Sequence, residues 1–329
     1  MPDVLCSEVN QGRDREVTSE HGRRSLLCAG VKQCKVEHIP VMANTLAELV
    51  SLPRDGVIVD ATVGHGGHSL MLGKSLGPEG VVFGLDFEKK AIRRAHFILE
   101  QLDCKVKLVC ENFARISEQL SRYDIGKADL VLADLGVCSS QLVDSDIGLS
   151  FQKNMPLDMR IDKRLKRTAA DIVNTTDEKS LANLIYNYGQ DRSSRRIARF
   201  IVRERSRRPF RTTSRLASTV CRALGRSPHK SRKHPATRTF QALRIAVNHE
   251  LENLQRFLQA VPEILKAGGR VAVISYHSLE DRMVKNNFKE NQKSGLYKIV
   301  TKKPITPSRE EISQNPRARS AKLRMAQSK

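Results

Sequence analysis

The chain has 329 residues, 40% hydrophobic and 28% charged, with 57 Lys and Arg against 36 Asp and Glu. That is room for one large domain or two ordinary ones around a real core, and no apolar run is long enough to cross a bilayer. The net charge of +21 favours a polyanionic partner, most simply nucleic acid, over a membrane surface, while 5% aromatics without Trp offer no evident stacking platform for single strands.

Residues 1–37 are polar and carry Asp3, Glu8, Asp14, Glu16 and Glu20, an acidity that argues against an organellar transit peptide. A poorly ordered extension is expected there. Four apolar runs follow at βαβ-like intervals: VIVD ending at Asp60, VVFGLD at Asp86, VKLVC at Cys110 and ADLVLAD at Asp134. Each reads as continuous, the pattern of strands buried on both faces of a parallel sheet. Between them, His68–Leu76 and Lys89–Leu102 carry apolar residues at helical steps. From about Leu149 to Lys233 strand signals nearly vanish. Helix-like segments (SLANLIYNYG, SSRRIARFIVRERS) bring a one-signed run of arginines that includes Arg192, Arg195, Arg196 and Arg199. A solvated helix face explains some of these, and a phosphate-backbone surface explains the excess. A long helix is then expected over Thr239–Leu265, stopped by Gly268-Gly269 before a fifth strand, GGRVAVISYH, that ends at His277. Two short strand candidates, LYKIV and AKLRMA, close the chain. The expected architecture is a doubly wound α/β sheet interrupted by a helical insertion. Seven scattered cysteines without a C-x-x-C pair fit reduced thiols, and no metal is expected.

The stretch VIVDATVGHGGH places three glycines and two histidines directly behind the first strand. Glycine there costs backbone entropy, so either the turn is tight or a ligand lies against bare backbone. Ligands of open α/β sheets sit beyond the carboxyl ends of the strands, where Asp60, Gly64, Gly66, Gly67, His68, Asp86 and Asp134 all fall. Asp86, about 20 residues past the loop, stands where an acid takes a ribose diol, so the ligand should carry a nucleoside. Gly73-Lys74-Ser75 resembles the end of a Walker loop, but His68 occupies the position of its first glycine. Gly64-x-Gly66 is followed by Ser69 where a dinucleotide fingerprint has glycine, which leaves NAD a minor alternative. S-adenosylmethionine fits better, because Asp60 would attract a cationic methionine group and repel a pyrophosphate. Simple capping of the turn by Asp60 is the competing reading.

Asp134, in DLGVCSSQ, ends the fourth strand where a transferable group would emerge. Methylation of an exocyclic amino group needs an acceptor on that NH₂, whose lone pair is delocalised into the ring. The two prolines that often follow such an acid are absent, so spacing alone leaves the substrate atom open. Cys138 raises a rival, thiolate addition to C6 of a pyrimidine for methylation at C5. With no neighbouring proline or second Cys, a small packing cysteine is the favoured reading.

Eight stretches in order (HIPVM, DATVGHGGHS, DLGVCSSQL, PLDMRID, SRRIAR, HPATRTFQALRIAVN, ISYHSLEDRMVK and NPRARSAKLR) together resemble one family, the RsmH (MraW) ribosomal RNA cytosine-N4 methyltransferases. The resemblance runs from His38 to about Gln327. It implies a class I SAM-dependent methyltransferase sheet, Rossmann-like, over residues 38–148 and 234–329, with an all-helical substrate domain inserted at 149–233. It further implies S-adenosylmethionine as donor and, as substrate, a cytidine in the decoding region of small-subunit rRNA, naked or in the assembled subunit. A bacterial cytoplasmic location follows, with a eukaryotic organelle and a homodimer left open. Donor-binding positions carried over are Gly66, Gly67, His68, Asp86, Phe113 and Asp134, with Gln141 closing the pocket. Departures are Cys138 where the family usually has Ser, Asn154-Met155-Pro156 for a common Asp-Gly-Pro, and Gln190-Asp191 for a Glu pair. Asp134, Asp158 and His277 are expected to frame the cytosine, Asp134 accepting from N4 and His277 orienting the base or relaying a proton. The alternative makes Asp158–Arg160 and Asp281–Arg282 structural ion pairs. Arg238, in HPATRTF, has a mixed reading as helix start or phosphate contact. Other rRNA base methylation and a SAM-binding assembly factor are the competing functions.

Overall fold

Strands without alternation need cover on both faces, and four of them form the middle of a seven-stranded sheet. A computed structural model gives the fold and describes residues 40–136, 147–150, 153–227 and 234–329. The strand order is β3-β2-β1-β4-β5-β7-β6. Strands β1 (Val57–Asp60), β2 (Val81–Asp86), β3 (Lys105–Cys110), β4 (Ala128–Asp134) and β5 (Leu265–Ser275) run parallel. β7 (Lys322–Ser328) runs antiparallel between β5 and the edge strand β6 (Tyr297–Ile299). This is the class I methyltransferase sheet expected above. β3 departs from the continuous pattern because it lies at the edge, where Lys105 and Lys107 face solvent and discourage further pairing. The expected extension at residues 1–37 lies outside the described residues.

Helices α1 (Ala43–Leu49), α2 (Gly67–Gly73), α3 (Lys89–Leu99) and α4 (Ile116–Arg122) alternate with the first strands. Between β4 and β5 come α5 (Ala169–Thr175), α6 (Glu178–Gly189), α7 (Ser194–Arg207), α8 (Thr213–Leu224), α9 (Thr237–Asn248) and α10 (Glu250–Ile264). After β5 follow α11 (Ser278–Lys293) and α12 (Arg309–Gln314). One sheet face buries Val59, Phe83, Val131 and Val273 with Phe257 and Leu258 of α10 and Val284 and Phe288 of α11. The opposite face buries Ile58, Val82, Leu130 and Ile274 with Leu46 and Leu72. A separate core, with Leu181, Ile197, Phe210 and Leu216, holds the helical body and takes in Phe240, Leu243 and Val247 of α9. None of the helices among the described residues is long and apolar enough to cross a membrane.

Two expectations need correcting. The single helix over Thr239–Leu265 is two, broken at His249 with φ of 51°. Tertiary bonds win there: Asn248 accepts from Ile161 N at 2.8 Å and donates to Met159 O at 2.9 Å, tying the loop after β4 to the break. Gly268-Gly269 lies inside β5 instead of ahead of it. The register shifts between the Ala128–Leu265 and Leu130–Arg270 pairs, and a Cβ on Gly269 would sit 2.8 Å from Ala128 O. Glycine permits this bulge.

Candidate active site

The β1–α2 loop explains its own composition. Asp60 is 1% exposed. Its Oδ1 accepts from Thr62 N at 3.1 Å and its Oδ2 from the Ser69 hydroxyl at 2.6 Å. The acid at the end of β1 therefore braces the turn, with burial pushing its pKa up. Gly66 has φ of 85° and lies against Leu99 and Ala95, while a Cβ on Gly67 would come 2.7 Å from Pro40 Cγ. The left-handed backbone at Gly66 and close packing at Gly67 thus each favour glycine without a ligand. Gly64, with φ of 52°, has open space beside it. Its N–H donates to Asp86 Oδ2 at 3.0 Å, and Asp86 Oδ1 accepts from Glu88 N at 2.9 Å. Burial pushes Asp86 up to about 6 against those two bonds.

Asp134 ends β4 beside this loop. Its N–H donates to Thr62 Oγ1 at 2.7 Å, and its Oδ1 accepts from the Tyr276 hydroxyl at 2.7 Å. Its Oδ2 faces His68 Nδ1 across 3.9 Å, and the side chain keeps 21% exposure, enough for a ligand to reach it. Desolvation drives Asp134 up to about 6, with His68 and the Tyr276 hydroxyl opposing. His68 Nε2 donates to Val41 O at 2.9 Å, which turns Nδ1 toward Asp134.

A cavity of about 390 Å³ opens from Thr62 and Gly136 along the strand ends. Its apolar walls include Phe87, Phe113, Leu135 and Leu254, and Asn112 and Asn248 add polar edges. Phe113 meets Phe257 edge-on at 5.6 Å, which fixes its ring at the wall. Apolar walls and a few convergent polar groups make this the candidate ligand site; of the expected site residues Phe113 alone lines it. Sequence reasoning missed Phe87 and Tyr276. The available signal was adjacency, because Phe87 follows Asp86 and Tyr276 precedes His277.

Beyond β5, His277 caps α11. Its Nδ1 accepts from Glu280 N at 3.3 Å, and the Glu280 carboxylate accepts from Tyr276 N at 2.9 Å and His277 N at 3.1 Å. His277 Nε2 stands 3.2 Å from Glu280 Oε1 and 4.0 Å from Glu250 Oε2, without an aligned hydrogen bond. Arg244 binds both Glu250 oxygens at 2.7 and 2.9 Å. Burial acts to lower the His277 pKa, but the two carboxylates outweigh it and hold it up at about 9. The Nδ1 capping bond is long and yields to that attraction. Glu250, His277 and Glu280 lie close enough to share a cation, yet Arg244 already neutralises Glu250 and backbone amides occupy Glu280.

Asp158 is held by Arg160 Nε at 2.7 Å, Arg160 Nη2 at 3.0 Å and Lys163 Nζ at 3.2 Å. Burial raises its pKa, and these cations more than reverse that. The alternative ion pair Asp158–Arg160 therefore exists, whereas Asp281 pairs with Arg324 at 2.6 Å and Lys322 at 3.4 Å in place of Arg282. Pairing of β7 against β5 brings those partners from the far end of the chain. Arg192, Arg195, Arg196 and Arg199 are exposed, while Ile197, Ala198 and Ile201 of α7 are buried. Arg199 lies 3.8 Å from Glu178. Arg238 is exposed and donates to Gln190 O at 3.3 Å. By contrast, Arg205 donates to Val173 O and Thr176 O at the end of α5. Gln141 and Cys138 lie outside the described residues.

A family model described as the MraW methylase family matches residues 35–329. Three relatives each carry the name ribosomal RNA small subunit methyltransferase H. That of Syntrophobacter fumaroxidans is 45% identical over 304 residues, spanning 88% of this chain and 95% of that protein. That of Clostridioides difficile is 43% identical over 305 residues, 88% and 98% of the respective lengths. That of a Cyanothece strain is 48% identical over 291 residues, 88% and 94%.

Proposed function

The chain belongs to the MraW methylase family, and from that premise we propose that it methylates N4 of a cytidine in the decoding region of small-subunit ribosomal RNA. S-adenosylmethionine supplies the methyl group as an electrophile on a cationic sulfur. The residues present suit that donor: a buried carboxylate at the end of β2, an open loop at Gly64, and an apolar slot between Phe87 and Phe113. Asp86 would take the ribose hydroxyls, Phe113 the adenine, and Gly66, Gly67 and His68 would shape the turn beside them.

The observation that carries the reading is the Asp134 carboxylate, partly open at the strand end with one oxygen tied to Tyr276 and the other without a hydrogen bond among the described residues. Such an acceptor takes an N4–H and draws density back onto the amino nitrogen. As the N–CH₃ bond forms the S–CH₃ bond breaks, and the donor leaves as the neutral thioether. The N4 proton passes to the Asp134 carboxylate and on to solvent, and the rest of catalysis is positioning. His277 has a different role from proton relay. Its raised pKa keeps it protonated at neutral pH, so it neutralises Glu250 and Glu280 beside the start of α11. Asp158, locked by Arg160 and Lys163, shapes the loop after β4.

Residues 149–233 serve as the substrate domain. Arg192, Arg195, Arg196, Arg199 and Arg238 contact phosphate, since they are exposed and, among the described residues, only Arg199 has even a long ion pair, with Glu178 at 3.8 Å. Replacing Asp134 with Ala is expected to abolish methyl transfer to small-subunit rRNA while donor binding and the melting temperature persist. Near-wild-type turnover would remove Asp134 from the mechanism.

A further inference from the structure

We propose that Tyr276 is the positioning residue for this transfer: its hydroxyl claims Asp134 Oδ1, so that Oδ2 alone is presented to the amino group of the target base. The proposal rests on the acceptor role given to Asp134 above.

The sheet itself sets the pair. Asp134 is in register with Ile274, and Leu135 N donates to Ile274 O at 2.9 Å. Tyr276 lies two residues beyond Ile274, on the same side of the strand path. Its hydroxyl reaches Oδ1 at 2.7 Å. Its ring rests against Gly136, where φ is 126° and a Cβ would stand 3.1 Å from Tyr276 Cδ2. Its backbone N–H is held by Glu280 Oε2 at 2.9 Å. Hydroxyl, ring and backbone are thus each fixed, which is what orienting another side chain requires.

The groups facing Asp134 leave Oδ2 for a ligand. Thr62 takes the backbone N–H, Asp60 beneath the loop is spent on Thr62 and Ser69, and Glu280 is spent on the backbone of α11. His68 directs Nδ1 toward Oδ2 at 3.9 Å, beyond hydrogen-bond reach, while its Nε2 is held by Val41 O. A carboxylate free to rotate would offer either oxygen in several directions, and transfer to a weakly nucleophilic amino nitrogen is sensitive to such misplacement. Tyr276 also stabilises the ionised carboxylate, the stronger acceptor for N4–H, against the desolvation that drives its pKa up.

The test is Tyr276→Phe, which keeps the ring against Gly136 and removes only the hydroxyl, compared with wild type and Asp134→Asn in a full-length methyltransferase assay on small ribosomal subunits. Expected for Tyr276→Phe are unchanged donor affinity and melting temperature, kcat lower by about ten-fold at neutral pH, and an acidic limb of kcat moved up by about one pH unit. An unchanged kcat and an unmoved limb would overturn the proposal. If Asp134→Asn is inactive while Tyr276→Phe behaves as wild type, the positioning role fails and the acceptor role stands. If Asp134→Asn turns over normally, the acceptor role itself fails.

Discussion

His277 gives the account a stability signature that can be worked out in advance. Its folded pKa is raised from 6.5 to about 9, because Glu280 and Glu250 outweigh the cost of burial. A cationic group whose folded pKa is raised contributes stability that is fully present below pH 6.5 and is lost as pH rises through 9. The gap of about 2.5 pH units, at ~1.4 kcal/mol per unit, amounts to roughly 3 kcal/mol. Urea denaturation of wild type and His277→Gln, each at pH 6 and pH 9.5, isolates this contribution, since Gln does not titrate. Wild type should lose about 3 kcal/mol more than the variant over that interval. Parallel losses would mean that His277 is neutral in the folded protein, acting only as the α11 cap through Nδ1, and would refute the reasoning.

Three further outcomes follow from the site. Ionised Asp86 accepts two ribose hydroxyls more strongly than the neutral acid does, and burial pushes it up to about 6, so donor affinity measured by calorimetry should weaken as pH falls through 6. Asp86→Asn should bind weakly and show no such dependence. Gly67→Ala should destabilise the chain by about 1–3 kcal/mol in thermal or chemical unfolding, since its Cβ would meet Pro40 at 2.7 Å. Affinity for rRNA should drop steeply with salt, and replacing Arg195, Arg196 and Arg199 by Ala should flatten the slope of log K against log salt by about 0.7 per lost phosphate contact to single strands. A slope identical to wild type would take α7 out of the interface.

The sheet was legible because its strands are apolar runs ending in acids, and the ends of β1, β2 and β4 mark the ligand side. Pattern reading failed where distant contacts overrode local preference. Residues 239–265 look like one amphipathic helix, yet the side chain of Asn248, by bonding Met159 and Ile161, breaks it at His249. The glycine loop reads as ligand-binding backbone, and the structure adds a second reason for its glycines: a left-handed φ at Gly66 and the approach of Pro40 to Gly67. Likewise Asp60 appeared to await a cation and is spent on Thr62 and Ser69. Tyr276 drew no attention as an aromatic inside an apolar strand. Its importance comes from the parallel pairing of β5 with β4, which no local pattern encodes. Asp281 shows the same limit, since its partner Arg324 lies 43 residues away on β7.

The central claim is that the group transferred lands on N4 of cytidine. The direct measurement is incubation of the full chain with methyl-labelled S-adenosylmethionine and small ribosomal subunits from cells lacking the enzyme, followed by digestion of the RNA to nucleosides. The account predicts label in N4-methylcytidine with wild type and none with Asp134→Ala. Label in 5-methylcytidine, or donor binding without label in either subunits or naked rRNA, would contradict it.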